Sequence, residues 1–210
     1  MKINGNAVRV GAGIAGGLLL VGVGGAAFAE HPDAESSGEV EVAVSIAETD
    51  PTGALSMSVE SGTAQLAESG STEEYRQFTG ALPNVTVTDN RSAVDEGVFW
   101  YVTGQASDFV GPEGADALGA GNLGWTPKLV GGDTDVVAAG DPVDTVLDTG
   151  ADAVGLVAEE FLAYSSRSAD AQAERGSWTA NADLVLKTPV DVTPGDYTST
   201  LTLSLFEDSY

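Results

Sequence analysis

Carboxylates are the one reactive group this sequence holds in abundance, with 32 Asp and Glu against 8 Lys and Arg. Two carboxyl groups at a suitable separation can hydrolyse a glycosidic bond, and that separation is defined in space rather than along the chain. Adjacent pairs such as Glu73-Glu74 and Glu159-Glu160 arise by chance at this acid content, so they do not by themselves mark a hydrolase. Acidic loops also suit calcium, which takes several oxygen ligands from a flexible segment. Asp133, Asp135, Asp141, Asp144, Asp148 and Asp152 crowd one glycine-rich stretch. Their spacing departs from the Asp-x-[Asp/Asn]-x-[Asp/Asn]-Gly calcium loop. Solvated turns, with Asp capping backbone groups, are favoured over calcium there, and no cofactor is expected.

Other chemistries are closed by composition. With no cysteine, neither thiol catalysis nor a Cys-based metal site can exist. The single histidine, His31, sits in a polar segment near the N-terminus, which leaves no His-based triad or multi-His metal site in the folded part. Gly111–Gly124 lacks the Gly-x-x-x-x-Gly-Lys-[Ser/Thr] phosphate loop, and no Gly-x-Ser-x-Gly elbow is present. Asn84-Val85-Thr86 and Asn90-Arg91-Ser92 match the glycosylation sequon as pattern only. A noncatalytic protein is the expectation. Three tryptophans remain, Trp100, Trp125 and Trp178. Exposed indoles on a β-sandwich can stack on sugar rings, and the same residues can fill a core.

The N-terminus bears on where any such chemistry would act. Lys2 and Arg9 precede a Gly/Ala-rich apolar run, Val10–Ala27, centred on Leu18-Leu19-Leu20-Val21 and ending in Ala27-Phe28-Ala29. Basic start, apolar stretch and small-x-small exit are the order of a cleavable signal peptide over residues 1–29. A membrane anchor needs about 20 strongly apolar residues, and the glycines dilute this run. No second apolar stretch follows, so no membrane span is expected in the mature chain. The net charge is −24, and it grows more negative when Lys2 and Arg9 leave. Nucleic acid and anionic bilayers are therefore poor partners.

The elements that must position any site read as strands. Residues 30–38 are a polar linker, and 39–210 are expected to form one domain. Val40, Val42, Val44 and Ile46 alternate with polar residues, the mark of a half-buried strand; we expect it at a sheet edge beside a free N-terminal arm. Asp50-Pro51-Thr52-Gly53 is a turn. Leu55, Met57 and Val59 alternate next, and the sequence is then polar to Thr72. Tyr75 and Phe78 mark another strand, and Leu82–Thr88 leads to a turn at Asp89-Asn90-Arg91. Val98–Ala106 is dense in β-branched and aromatic residues. Residues 107–122 read as loop, 123–130 as a short extended piece, 131–153 as a long excursion, and 155–164 as a strand. Trp178, Ala180, Ala182, Leu184 and Leu186 alternate, and after Pro189 and Pro194-Gly195-Asp196 so do Tyr197, Ser199, Leu201, Leu203 and Leu205. These last two segments are expected to pair in one sheet. The whole predicts an all-β, antiparallel, Ig-like β-sandwich.

Several of these segments together resemble a known family. Val85-Thr86-Val87-Thr88-Asp89-Asn90-Arg91, Phe99-Trp100-Tyr101-Val102, Ser107-Asp108-Phe109 and Leu123-Gly124-Trp125-Thr126-Pro127 are similar, in that order, to the WxL-type surface domain of Gram-positive bacteria. The closing Leu184-x-Leu186-x-x-Pro189 and Pro194-Gly195-x-Tyr197-x-x-x-Leu201-Thr202-Leu203 resemble its last strands. The likeness spans roughly residues 82–206. The naming Trp-x-Leu motifs stand here as Trp100-Tyr101-Val102 and Trp125-Thr126-Pro127, as in a diverged, actinobacterial relative. The resemblance implies a secreted or cell-surface protein held noncovalently to cell-wall peptidoglycan, with Trp100, Trp125, Asp89 and Asp108 as the ligand-binding surface. The alternative is a structural or assembly subunit of a surface layer or fibre, partnered by another surface protein through paired edge strands. A secreted hydrolase using two acids is a third reading.

Overall fold

A computed structural model describes residues 38–44 and 53–210 of the chain. The expected signal peptide and linker, Ile46 and most of the 50–53 turn lie outside the described residues. Among the described residues eleven strands, one 3-10 turn and one short α-helix follow one another: β1 (Gly38–Val44), β2 (Leu55–Val59), β3 (Ala64–Glu68), β4 (Tyr75–Ala81), β5 (Val85–Asp89), β6 (Val98–Ala106), the 3-10 turn (Ala120–Asn122), β7 (Leu123–Leu129), β8 (Val137–Ala139), β9 (Glu160–Ser165), α1 (Ser168–Glu174), β10 (Ser177–Pro189) and β11 (Tyr197–Ser209). The protein is an all-β, antiparallel sandwich, as the alternating sequence predicts. Among the described residues no helix is long and apolar enough to cross a membrane.

One sheet runs β1-β11-β6-β9-β8. The other is built around β10. Ala180 pairs with both Val85 of β5 and Leu129 of β7, and Leu184 with both Gly80 of β4 and Trp125 of β7. So β7 flanks one side of β10, while β4 and β5 lie end to end along the other. Pro83, which has no N–H to give a ladder, separates them, and Leu82 N–H bonds the Ala182 carbonyl at 2.8 Å. β2 pairs with β5, and β3 with β4. β3 also pairs with β1, which joins the two sheets along one side.

Three expectations need correction. β10 and β11 do not pair with each other, because the segment between Pro189 and Tyr197 is an arch from one sheet to the other. The Tyr197 hydroxyl donates to the Thr193 carbonyl at 2.8 Å and fastens that arch. β1 is not an edge strand, since β3 and β11 flank it. The stretches read as polar and as an excursion contain β3 and β8, two short strands with weak alternation. The helix α1 joins β9 to β10 and is too short to carry an apolar period. It is docked by buried Ala171 and by Trp178, whose indole N–H donates to the Ala171 carbonyl.

The core fills the space between the sheets. Leu201 and Leu203 of β11, Trp100 and Val102 of β6, Leu162 of β9, and Ala182, Leu184 and Leu186 of β10 all point inward and are buried. Alternation along β10 and most of β11 places polar residues on the other face, as a one-face-buried sheet requires, whereas β6 turns Phe99 and Tyr101 outward.

Candidate functional site

The residues expected to bind a ligand are not a surface. Trp100 and Trp125 are each 1% exposed and are the two largest fully buried side chains. Core packing, the alternative role for these indoles, is the one the structure gives them, and it leaves them no face for a sugar. Asp89 is buried too. Its carboxylate takes the Arg91 guanidinium two-handed, Oδ1 to Nε at 2.9 Å and Oδ2 to Nη2 at 2.7 Å. Arg91 Nη1 reaches Glu207 of β11 at 2.6 Å, which ties one sheet to the other. Asp108 is exposed, and its Oδ1 accepts the Ala120 N–H at 2.8 Å, closing the loop whose ends pair at Phe109 and Leu118. The four residues therefore do not converge on one site.

The aspartates of the excursion do not converge either. Among the described residues no three His, Cys, Asp or Glu side chains gather as a metal site would need. Asp133 accepts the Ala139 N–H at 3.1 Å. Asp148 holds Thr145 through its hydroxyl at 2.8 Å and its N–H at 3.1 Å, and pairs with Lys187 of β10. The excursion is thus anchored to the sheet by Asp148 and Lys187, with the Lys187 ammonium 4.5 Å from the Tyr75 ring centre.

Burial alone would push the Asp148 carboxyl up, but Lys187 and Thr145 outweigh it and hold it below the ordinary aspartate range. Burial would lower Lys187, and its bond to Asp148 raises it instead. A depressed carboxyl stabilises the fold above its unfolded value, and that contribution is lost as pH falls through the lower folded value. A raised lysine stabilises below its unfolded value and is lost as pH rises through the higher folded one. The pair therefore contributes fully between about pH 4 and pH 10. Asp148→Asn should remove part of the acid limb of the stability profile, read as the unfolding midpoint between pH 6 and pH 2. An unchanged limb would show that the pair adds nothing.

What the structure does assemble is an aromatic face on the outside of the β11-β6-β9 sheet. The register sets Phe206 of β11 beside Tyr101 of β6, and Tyr101 beside Tyr164 of β9. Tyr101 and Phe206 have ring centres 5.2 Å apart and planes within 26°. Phe161 meets Tyr101 edge-on at 5.4 Å and lies 6.2 Å from Tyr164. Phe99 extends the row at 6.1 Å from Tyr101, and Tyr210 extends it again at 6.1 Å from Phe99. Phe161 is 50% exposed and Tyr210 85%. Single exposed apolar residues are ordinary, but a contiguous patch marks a contact surface.

Part of this face was readable. In Phe99-Trp100-Tyr101-Val102 the buried pair fixes the phase, so Phe99 and Tyr101 must point out. Phe206, Asp208 and Tyr210 follow the phase of Thr200, Thr202 and Ser204, the polar side of β11. Phe161 and Tyr164 could not be placed by alternation, because the ladder shifts register between Val102 and Thr103. No protein-family model matches this chain, and no curated protein matches it at a meaningful similarity.

Proposed function

We propose that this chain is an exported, noncatalytic surface protein that associates with the Gram-positive cell wall through the aromatic face of β6, β9 and β11. The observation that carries the reading is the contiguous row of Phe99, Tyr101, Phe161, Tyr164, Phe206 and Tyr210 on solvent. Aromatic rings on a rigid sheet offer apolar faces to the C–H faces of sugar rings, with little side-chain entropy to lose. A chain of net charge −24 is repelled by anionic wall polymers. The neutral glycan strand of peptidoglycan is the wall component such a face suits. The resemblance of the sequence to WxL-type domains leads to the same partner by an independent route.

The test is a pull-down with purified Gram-positive walls. Wild type should pellet and remain bound in high salt, since the contact is not ionic. Truncating a central aromatic of an interface costs about 2 kcal/mol, roughly a thirtyfold loss. Tyr101→Ala and Phe206→Ala should each fall in that range while the circular dichroism spectrum stays native. Val130→Ala, an exposed apolar residue just beyond β7 in the other sheet, should bind as wild type. Failure of the wild-type chain to pellet would end the proposal.

A further inference from the structure

We infer, resting on the function proposed above, that the Thr103 hydroxyl is the polar anchor of the aromatic face: it hydrogen-bonds a hydroxyl of the saccharide chain whose ring faces stack on Tyr101 and Phe206. Two observations lead there. The first is a hydroxyl that is covered and unpaired. Thr103 lies between Tyr101 and Gln105 on β6, and the β6–β11 ladder runs from Val98 to Ala106 without a shift, so all three share the outward phase. Thr103 faces Ser204 across that ladder and Phe161 across the other. It is nevertheless 4% exposed, and its Oγ1 has no hydrogen-bond partner. Buried polar groups are nearly always paired, and one that is not asks for a reason.

The cover over this hydroxyl is thin. The Phe161 ring starts opposite Thr103 and meets Tyr101 edge-on at 5.4 Å, so it leans across the Thr103 position. Phe161 is half exposed, and side chains with that much access to solvent change rotamer in picoseconds to nanoseconds. When the ring swings aside, the hydroxyl opens at the foot of Tyr101. The second observation is that the ground around Thr103 is neutral. Its outward neighbours are Tyr101, Gln105, Ser204 and Phe161, and Thr202 stands opposite Gln105. None of them is charged, in a chain with 32 acids. Beside the rings there is thus a short lane of hydroxyl and amide groups, with Gln105 Nε2 donating to the Val157 carbonyl at 2.8 Å along its flank. A saccharide has the two matching surfaces, C–H faces for the rings and an edge of hydroxyls that both donate and accept, as the threonine hydroxyl does. A purely apolar partner would leave Thr103 unpaired. A site built to hydrogen-bond a ligand hydroxyl rejects a ligand that lacks it, because the site's own buried group is then left unsatisfied.

Two substitutions at this position separate hydroxyl from packing. Thr103→Val keeps the branched shape and removes the hydroxyl, while Thr103→Ser keeps the hydroxyl and removes the methyl. Full chains are pelleted with purified Gram-positive walls and melted by circular dichroism. Thr103→Val should melt no lower than wild type, because a buried unpaired group is gone, yet bind walls about tenfold more weakly for want of one hydrogen bond. Thr103→Ser should melt lower, since a buried methyl is lost, yet bind close to wild type. The order of binding is then the reverse of the order of stability, which a packing role cannot give. Thr103→Val that pellets as wild type does would overturn the inference, while losses in Tyr101→Ala and Phe206→Ala would still support the aromatic face. Equal losses of binding in Thr103→Val and Thr103→Ser would overturn it too, by making Thr103 a packing residue. A wild type that does not pellet ends the proposed function and this anchor together, and that control alone tells the two failures apart.

Discussion

Trp125→Ala should leave a protein that is folded only marginally, with a loss of about 3–5 kcal/mol. The indole lies at the centre of the sandwich, 1% exposed, on a β7 position that pairs with Leu184 and bridges to Val143. Gly104 of β6 makes room for it, since a Cβ there would sit 2.5 Å from the indole Cη2. Deleting the ring opens a cavity between two sheets that cannot close without moving both. A domain of this size loses on the order of 10 °C in unfolding midpoint for such a change. Trp125→Phe should cost much less. The indole N–H has no hydrogen-bond partner, so phenylalanine removes a buried, unpaired donor along with some volume. A thermal melt followed by circular dichroism checks both. A Trp125→Ala protein with an unchanged midpoint and lost wall binding would return the indole to a ligand surface.

That expectation also shows why the tryptophans misled. Trp100 and Trp125 stand out in the sequence because tryptophan is rare and the WxL-like motifs are built on it. Rarity does not separate a binding indole from a packing one. Alternation does: Trp100 shares its phase with Val102, and both are buried, so the neighbours Phe99 and Tyr101 are the ones on solvent. The same rule places Phe206 and Tyr210 outside. It fails for Phe161 and Tyr164, because the bulge in the β6–β9 ladder breaks the period. The individual strands were legible wherever one face is buried and the other wet.

Partnership was less legible than existence. A period-2 run says that a strand has an inside, not which strand lies beside it. β10 and β11 are neighbours in sequence with a Pro-Gly turn between them, which looks like a hairpin. The seven residues between Pro189 and Tyr197 instead cross between sheets. β1 has the same limit: its alternation marks a strand, and its flanking position between β3 and β11 follows only from long-range pairing. β3 offers only Ala64 and Leu66 as an apolar alternation and β8 has three residues, so their place is set by the longer strands they join.

Arg91→Ala is the second change expected to be severe. Arg91 neutralises Asp89, whose side chain is 4% exposed, and removing one partner of a buried pair typically costs 3–5 kcal/mol. The carboxylate would be left in the sheet junction with no cation, and β11 would lose its tie to β5 through Glu207. Arg91→Lys should recover only part of the loss, because an ammonium cannot reproduce the two-handed bond to Asp89. Asp89→Asn combined with Arg91→Ala should be more stable than Arg91→Ala alone, since the uncompensated charge is gone. Glu207→Gln should be mild, because Glu207 is 38% exposed and exposed pairs contribute about 0–1 kcal/mol. Urea unfolding of the four variants separates these outcomes. The pair also bears on the aromatic face. Glu207 lies between Phe206 and Asp208, so Arg91 holds the end of β11 that carries Phe206 and leads to Tyr210. In the folded fraction of Arg91→Ala, wall binding should therefore weaken although no ring has been removed. Equal binding per folded molecule would show that the rings keep their row without that clamp.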